Sequence, residues 1–240
     1  MVYPWIGYEL LEDRYLKLTH LNQIGRTEDF RLGWRVATQV GVAPPAYGAD
    51  RQALIWNGSL SRGFAPAPHH LIALSANTSG RVEDSQGRNA LVSAAGQYYW
   101  RQSPQRLLFI GLQADAITKP DAVNLLTLGG DNGLRGYPLR YQTGTGRWLF
   151  TAEQRLFSDW YPFRLVQVGG AVFYDAGRTW GDNPLGSRSV GLLCDVGFGL
   201  RLGQARSGLG NVTHIDFAFP LDARGSVKKM QFLVETKRSF

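Results

Sequence analysis

Apolar and polar residues alternate with a period of two along almost the whole chain, and no window shows a convincing helical period. The segment 190–202 is typical, because one set of alternate positions is apolar and the other is charged or glycine-rich. The first set holds Leu192, Cys194, Val196, Phe198, Leu200 and Leu202, and the second holds Leu193, Asp195, Gly197, Gly199 and Arg201. Successive side chains of a strand point to opposite faces, so this pattern predicts an all-β protein.

We predict about twelve antiparallel strands, each about ten residues long, which is the span of a tilted transmembrane strand. The predicted segments are Tyr3–Leu11, Arg14–Asn22, Phe30–Val42, Gln52–Phe64, His70–Gly80, Asn89–Arg101, Arg106–Ala116, Arg147–Phe157, Arg164–Asp175, Val190–Leu202, Val212–Leu221 and Lys228–Phe240. No repeat, low-complexity tract or linker is visible, so a single domain covering residues 1–240 is the simplest interpretation. An even number of strands would close into a barrel with both termini on the side of the short turns.

The two faces of these segments favour a membrane protein. A charged, glycine-rich face opposite a continuous apolar face is typical of a transmembrane β-barrel with a polar lumen. Aromatic residues also gather near the predicted strand ends, as they do at the two water–lipid boundaries. They are Trp5, Tyr98, Tyr99, Trp100, Trp148, Trp160, Tyr161, Phe163 and Trp180. A soluble barrel such as a lipocalin stays open as the alternative on the pattern alone.

Composition narrows the candidate chemistry. The formal net charge is +7, but Lys and Arg are scattered among apolar residues rather than clustered, so we do not expect a nucleic-acid partner. Cys194 is the single cysteine, which excludes an internal disulfide and offers no metal site; no metal or other cofactor is predicted. His214 and Asp216 share a strand face without a serine beside them, so an enzyme is a weak alternative and no catalytic residue is assigned.

The stretch Leu126–Tyr141 interrupts the strand pattern. It contains four glycines, a proline and an Asp-Asn pair, which permit turn and left-handed geometry. At its centre, Arg135 is a fixed cation between Leu134 and Gly136-Tyr137. This is either a solvated loop or a loop folded back to place Arg135 at a specific position.

An ordered set of motifs resembles the C-terminal barrel of the BamA/TamA superfamily of outer-membrane proteins. That superfamily includes the transporters of two-partner secretion and the barrels fused to patatin-like phospholipases. The motifs are Gly129-Gly130, Leu134-Arg135-Gly136-Tyr137, Phe173-Tyr174-Asp175-Ala176-Gly177, Gly197-Phe198-Gly199-Leu200-Arg201 and the terminal Phe240. The resemblance covers most of the chain and is densest from residue 126 onward.

The resemblance implies a role for each of these motifs. The extracellular loop carrying Leu134, Arg135, Gly136 and Tyr137 would fold into the lumen, where Arg135 would contact Asp175 of the Phe173-x-Asp175-x-Gly177 motif. Further charges that alternation places on the inner wall are Glu153, Arg155, Asp195 and Arg201. Phe232, Val234 and Phe240 would form the C-terminal signal that the barrel assembly machinery recognises, although Arg238 on the same face departs from that pattern.

The implied function is the insertion or passage of unfolded outer-membrane or secreted polypeptides at the outer membrane, through a weak seam between the first and last strands. Two departures are clear. No periplasmic POTRA module is visible, and members of the superfamily usually have sixteen strands. We therefore expect either a small closed barrel or the C-terminal part of a larger one. A passive pore or a structural membrane barrel without transport activity is the alternative function.

Overall fold

A computed structural model describes residues 2–48, 51–121, 124–162, 165–181, 190–204, 211–222 and 227–237. Fifteen strands occur in these ranges, with short 3₁₀ turns at Pro45–Tyr47 and Gly130–Asn132. The strands are β1 (Trp5–Leu11), β2 (Tyr15–Thr19), β3 (Thr27–Arg31), β4 (Arg35–Ala43), β5 (Ala53–Ala67), β6 (His70–Glu83), β7 (Gln86–Ser103), β8 (Arg106–Thr118), β9 (Leu126–Leu128), β10 (Gln142–Gly144), β11 (Gly146–Phe157), β12 (Val166–Trp180), β13 (Leu193–Gln204), β14 (Val212–Pro220) and β15 (Gln231–Lys237). No α-helix occurs in the described part of the chain, which confirms the all-β class.

Eleven strands form one antiparallel sheet in the order β1-β4-β5-β6-β7-β8-β11-β12-β13-β14-β15. Most neighbours are successive hairpin strands, whose pairing needs only short connections. The long loop 119–145 joins β8 to β11, and we call the end of the sheet that carries it the upper end. This large antiparallel sheet is consistent with a β-barrel. Among the described residues, however, no pairing joins β1 to β15, so both strands are edges.

The prediction of an even set of about twelve wall strands, with both termini at one end, was wrong for the described residues. Trp5 lies opposite Gly41, so β1 starts at the upper end, and Lys237 lies opposite Val212, so β15 ends at the lower end. The two edge strands therefore run in the same direction. Direct closure between them would require a parallel pairing in an otherwise antiparallel sheet.

The second predicted strand, Arg14–Asn22, accounts for this difference. Its central part, β2, pairs with β3 in a separate two-stranded sheet. Residues 12–34, which we call the N-terminal hairpin, lie against the inner face of the large sheet, where Phe30 packs with Leu71 and Tyr99. A strand that lies against a wall alternates in the same way as a strand within the wall, so the sequence pattern did not separate them. At five residues, β2 is also too short to span a bilayer.

The large sheet curls around the N-terminal hairpin. One buried cluster contains residues of the hairpin together with inward-facing residues of β6, β7, β8, β11 and β14. The members are Leu21, Ile24, Phe30, Leu71, Tyr99, Leu107, Phe109, Phe157 and Val212. At Gly63 on β5, an added Cβ would collide with the backbone of Arg31 on the hairpin, so glycine is needed for this close approach.

The inner and outer faces of the sheet have the opposite character to those of a soluble protein. Exposed side chains on the outer face are apolar, and include Ile6, Leu54, Leu74, Val92, Leu112, Val172, Phe198, Leu200, Phe232 and Val234. On the inner face, beside the apolar cluster, many buried side chains are charged or polar, and these include Asp115, Glu153, Arg155, Asp175, Asp195, Arg201, His214 and Asp216. Such a sheet suits apolar surroundings and a polar interior. In the ranges described, no helix has the length and apolar character needed to cross a membrane.

Candidate functional site: an arginine buried against the inner wall

The long loop returns onto the inner face of the sheet. Its base is a short ladder between β9 and β10, and Leu134 N–H donates to the Gly129 carbonyl at 3.2 Å. A turn closed by Tyr137 N–H donating to the Leu134 carbonyl, at 3.0 Å, presents Arg135 and Gly136 at the tip. At Gly133 the backbone has a φ of 122°, a region in which only glycine is unstrained. The glycines of this stretch therefore permit the turn.

Arg135 is buried and faces three carboxylates. Its Nε and Nη2 donate to the two oxygens of Asp175 at 2.7 and 3.0 Å, in the bidentate geometry that fixes a guanidinium most firmly. Its Nη1 donates to Glu153 at 2.9 Å and lies 3.5 Å from Asp216. The Phe173 ring lies beneath the guanidinium, with 3.3 Å between its centroid and Cζ. The structure thus places Arg135 against Asp175, the residue with which the sequence motifs paired it.

The charge of Arg135 is maintained by these partners. Burial alone would lower the pKa of Arg135, since it removes water from the cation. The carboxylates of Asp175, Glu153 and Asp216 outweigh this effect, and the pKa lies above its ordinary value. The guanidinium therefore stays protonated at any pH at which the protein is folded.

Leu134 and Tyr137 hold the loop tip by packing. Leu134 is fully buried against Leu128 and Leu193, and Tyr137 stacks on Tyr141 with 5.4 Å between ring centroids. The Tyr137 hydroxyl donates to the Cys194 carbonyl at 2.9 Å. Burial raises the pKa of Tyr137 to about 12, so this hydroxyl remains a donor. All four residues of the motif are consequently in contact with the wall or with the loop itself.

Gly136 lies so close to the wall that a side chain does not fit. An added Cβ would lie 2.5 Å from the Cβ of Asp195 and 3.0 Å from the backbone nitrogen of Pro220. Gly177, the last residue of the Phe173 motif, is similar, since an added Cβ would lie 2.9 Å from the Trp148 carbonyl oxygen. Both glycines thus allow neighbouring backbone to approach.

Replacing Gly136 with Ala is expected to lower the free energy of unfolding by about 1–3 kcal/mol, because the methyl group must displace the Asp195 side chain or the loop. Chemical denaturation of the detergent-folded protein measures this. Gly87 is the matched control, because an added Cβ there meets no atom within 4 Å. Equal effects of the two substitutions would show that Gly136 is not confined.

Glu153 connects the loop to two further arginines. Its Oε1 accepts from Arg155 Nε at 3.1 Å, and its Oε2 accepts from Arg201 Nη2 at 3.3 Å as well as from Arg135. Arg201 also pairs with Asp216 at 2.5 Å. Arg135, Arg155 and Arg201 thus face Glu153, Asp175 and Asp216, and the six charges sum to zero. Compensation of this kind is needed for charges held out of water.

Asp195 lies beside this charged network but, within the ranges described, does not form an ion pair with its arginines. It lies directly opposite Asp175 in the pairing of β12 with β13, and it is fully buried against Gly136. Its carboxylate oxygens have no hydrogen-bond partner of normal geometry among the described residues. The structure therefore places Asp195 beside the site, while Glu153, Arg155 and Arg201 belong to its hydrogen-bonded network.

The N-terminal hairpin meets this network from the lower end. Arg155 Nη1 donates to the Leu21 carbonyl at 2.8 Å, and the guanidinium lies 4.3 Å from the Phe109 ring centroid. The hairpin turn is held by Glu28, whose carboxylate accepts from the backbone N–H groups of Leu21, Asn22 and Gln23 at 2.9–3.0 Å. The loop and the hairpin, which enter from opposite ends, are therefore joined through Arg135, Glu153 and Arg155.

Some of these participants were missed from the sequence. Alternation placed Asp216 on a face with His214, but we considered the pair only as enzyme chemistry. Asp216 instead pairs with Arg201 and Arg135. No sequence signal pointed to Glu28. Phe232 and Val234 are exposed on the outer face of β15. Phe240, Arg238 and Phe163 lie outside the described residues.

The sequence matches no family model and no curated protein. The function is therefore inferred from the geometry of the site and from the motifs.

Proposed function

We propose that the chain forms an outer-membrane β-barrel of the BamA/TamA superfamily that inserts polypeptides into this membrane or passes them across it. The outward-facing apolar side chains and the buried charges of the inner face support a position in lipid. The bidentate pair of Arg135 with Asp175 supports the superfamily, because it joins the two motifs that the resemblance pairs. In this proposal the pair locks the loop to the wall.

The observation that carries the insertion role is the pair of edges at β1 and β15. Within the described residues neither edge is paired with the other, and both strands run from the upper to the lower end. A strand running from the lower to the upper end would pair antiparallel with either edge. Exposed edges of a sheet are templates for such pairing, and in lipid they are costly to leave open. A polypeptide strand that adds to one of these edges is the substrate that the geometry suits.

The test is site-specific disulfide crosslinking to a folding client in liposomes. Cys194 is first replaced by Ser, and single cysteines are introduced at Tyr8 on β1 or Val234 on β15. A urea-denatured eight-stranded outer-membrane barrel with one cysteine in an edge strand serves as the client. We expect crosslinks at both positions, and faster client folding than in empty liposomes, measured by its shifted migration on unheated gels.

Leu112 provides the matched control. It is exposed on the outer face of β8, in the interior of the sheet, where both strand edges are already paired. A cysteine there should not crosslink to the client. Equal crosslinking at Leu112 and at the two edges, or client folding no faster than in empty liposomes, would overturn the insertion role.

A passive pore is the second candidate, and one observation favours it. The inner face of β4, β5 and β6 is lined by uncharged polar side chains such as Gln39, Asn57 and Asn77, around a cavity of about 650 Å³. Such a surface would pass small polar solutes without binding them tightly. Steady conductance in planar bilayers, together with no effect on client folding, would favour this alternative.

A further inference from the structure

Arg62 occupies an unusual place for a cation. On β5 it lies opposite Leu74 and shares the outer face with Leu60, and both leucines are exposed. Its guanidinium lies between two aromatic rings, with 4.8 Å from Cζ to the centroid of Trp34 and 4.8 Å to that of Phe64. The side chain is thus presented on the apolar outer face of the sheet, close to its lower end.

Arg62 has no acidic partner in the described part of the chain. No ion pair involves it, and its Nε is shielded from solvent without a hydrogen-bond acceptor. A buried donor without an acceptor costs free energy, so the protein itself does not compensate this cation. The Nη1 and Nη2 groups form the other edge of the guanidinium, and this edge suits a pair of oxygens on a phosphate.

A second arginine, at the base of the N-terminal hairpin, lies next to Arg62 at the lower rim of the sheet. A cavity of about 260 Å³ is lined by Arg14 and Arg62, with Leu32, Phe64 and Pro66 as apolar walls. Arg14 is held at the lower end by its carbonyl, which accepts from the N–H groups of Leu32 and Gly33 at 2.8 and 3.0 Å. Two cations beside apolar walls match a ligand that has an anionic head and a hydrocarbon tail.

We propose that Arg62 and Arg14 bind the phosphate of an anionic phospholipid headgroup, whose acyl chains lie on the apolar outer face beside Phe64 and Leu60. This inference rests on the proposed position of the sheet in a membrane. Aromatic and arginine side chains are favoured at the water–lipid boundary, where the cation reaches the headgroups. The site would fix the depth at which the lower end of the sheet lies in the membrane.

The test uses the full chain folded in dodecyl maltoside and titrated with dioleoyl phosphatidylglycerol, dioleoyl phosphatidylcholine or inorganic phosphate. Bound lipid is counted by native mass spectrometry, and affinity is taken from the shift of the thermal unfolding midpoint. We expect phosphatidylglycerol to bind and to raise the midpoint, and the other two to have little effect. Arg62→Gln should weaken phosphatidylglycerol binding about tenfold, since a charge-assisted hydrogen bond is lost.

Two further variants test whether binding depends on the position of the arginine and on its planar donor group. Arg178→Gln is the control, because Arg178 is also exposed on the outer face but lies near the upper end, opposite Trp148. It should bind phosphatidylglycerol as the unmodified protein does. Arg62→Lys keeps the charge but lacks the planar donor fork, and should bind more weakly than Arg62.

Equal binding of both lipids, or unchanged binding by Arg62→Gln, would overturn the lipid site. An equal shift with inorganic phosphate would overturn it in favour of a site for free phosphate. Flotation of the protein with vesicles is measured separately. Protein that floats but shows no preference that depends on Arg62 would refute only the lipid site, whereas protein that does not float would refute the membrane proposal itself.

Discussion

Replacing Arg135 with Met is expected to release the long loop from the inner wall and to lower the free energy of unfolding by about 3–5 kcal/mol. The reason is that Asp175 is fully buried and Arg135 is its bidentate partner. Removal of the cation leaves a fully buried carboxylate without its main compensating charge. Chemical denaturation of the detergent-folded protein measures the stability. Limited proteolysis measures the release, with new cleavage within residues 129–141.

Arg140 is the matched control for this experiment. It lies on the same loop but is exposed, and Arg140→Met should change stability by no more than about 0.5 kcal/mol. Asp175→Ala and the double variant Arg135→Met with Asp175→Ala complete a double-mutant cycle. If the pair is coupled, the double variant loses clearly less stability than the sum of the two single variants. Additive losses would mean that Arg135 and Asp175 act independently.

Glu153→Gln is expected to affect both the long loop and the N-terminal hairpin. This substitution keeps the shape of the side chain but leaves Arg135, Arg155 and Arg201 without the carboxylate that they share. Three cations would then face two acids, and we expect a loss of about 3–5 kcal/mol. Because Arg155 also holds the Leu21 carbonyl, protease cleavage should appear in residues 12–34 as well as in the long loop.

Glu235→Gln is a suitable comparison for Glu153. Glu235 also lies on the inner face but is partly exposed, and its only ion pair in the described residues is with Lys237 at 2.7 Å. Exposed pairs contribute about 0–1 kcal/mol, so little change is expected. If Glu153→Gln exposes only the long loop, the N-terminal hairpin is not coupled to the network through Arg155.

The local sequence pattern was sufficient to predict most strands of the large sheet. Alternation depends only on whether a side chain faces inward or outward, and segments such as 106–116 and 147–157 therefore lie within strands as predicted. The contact of Arg135 with Asp175 was suggested by the motifs and not by the pattern. Alternation placed Glu153, Arg155, Asp195 and Arg201 on the inner face, but their partners depend on the register across several strands, which sequence does not specify.

The N-terminal hairpin could not have been predicted from the same pattern. Whether β2 lies in the wall or against it depends on Gly63 and on the space around Phe30, which belong to distant parts of the chain. Glu28 binds the backbone of its own turn, an interaction that any glutamate in a loop could make. These features result from tertiary packing, which overrides local preference.

The hydrogen bond between Arg155 and Leu21 has a consequence for the order of folding. It joins residues 134 positions apart, and the closure of so long a segment has a substantial entropic cost before the contact contributes. We therefore expect the N-terminal hairpin to dock onto the sheet only after β11 has formed. Contacts of this sequence separation slow folding, so we expect the last kinetic phase to be the docking of the hairpin rather than the pairing of neighbouring strands.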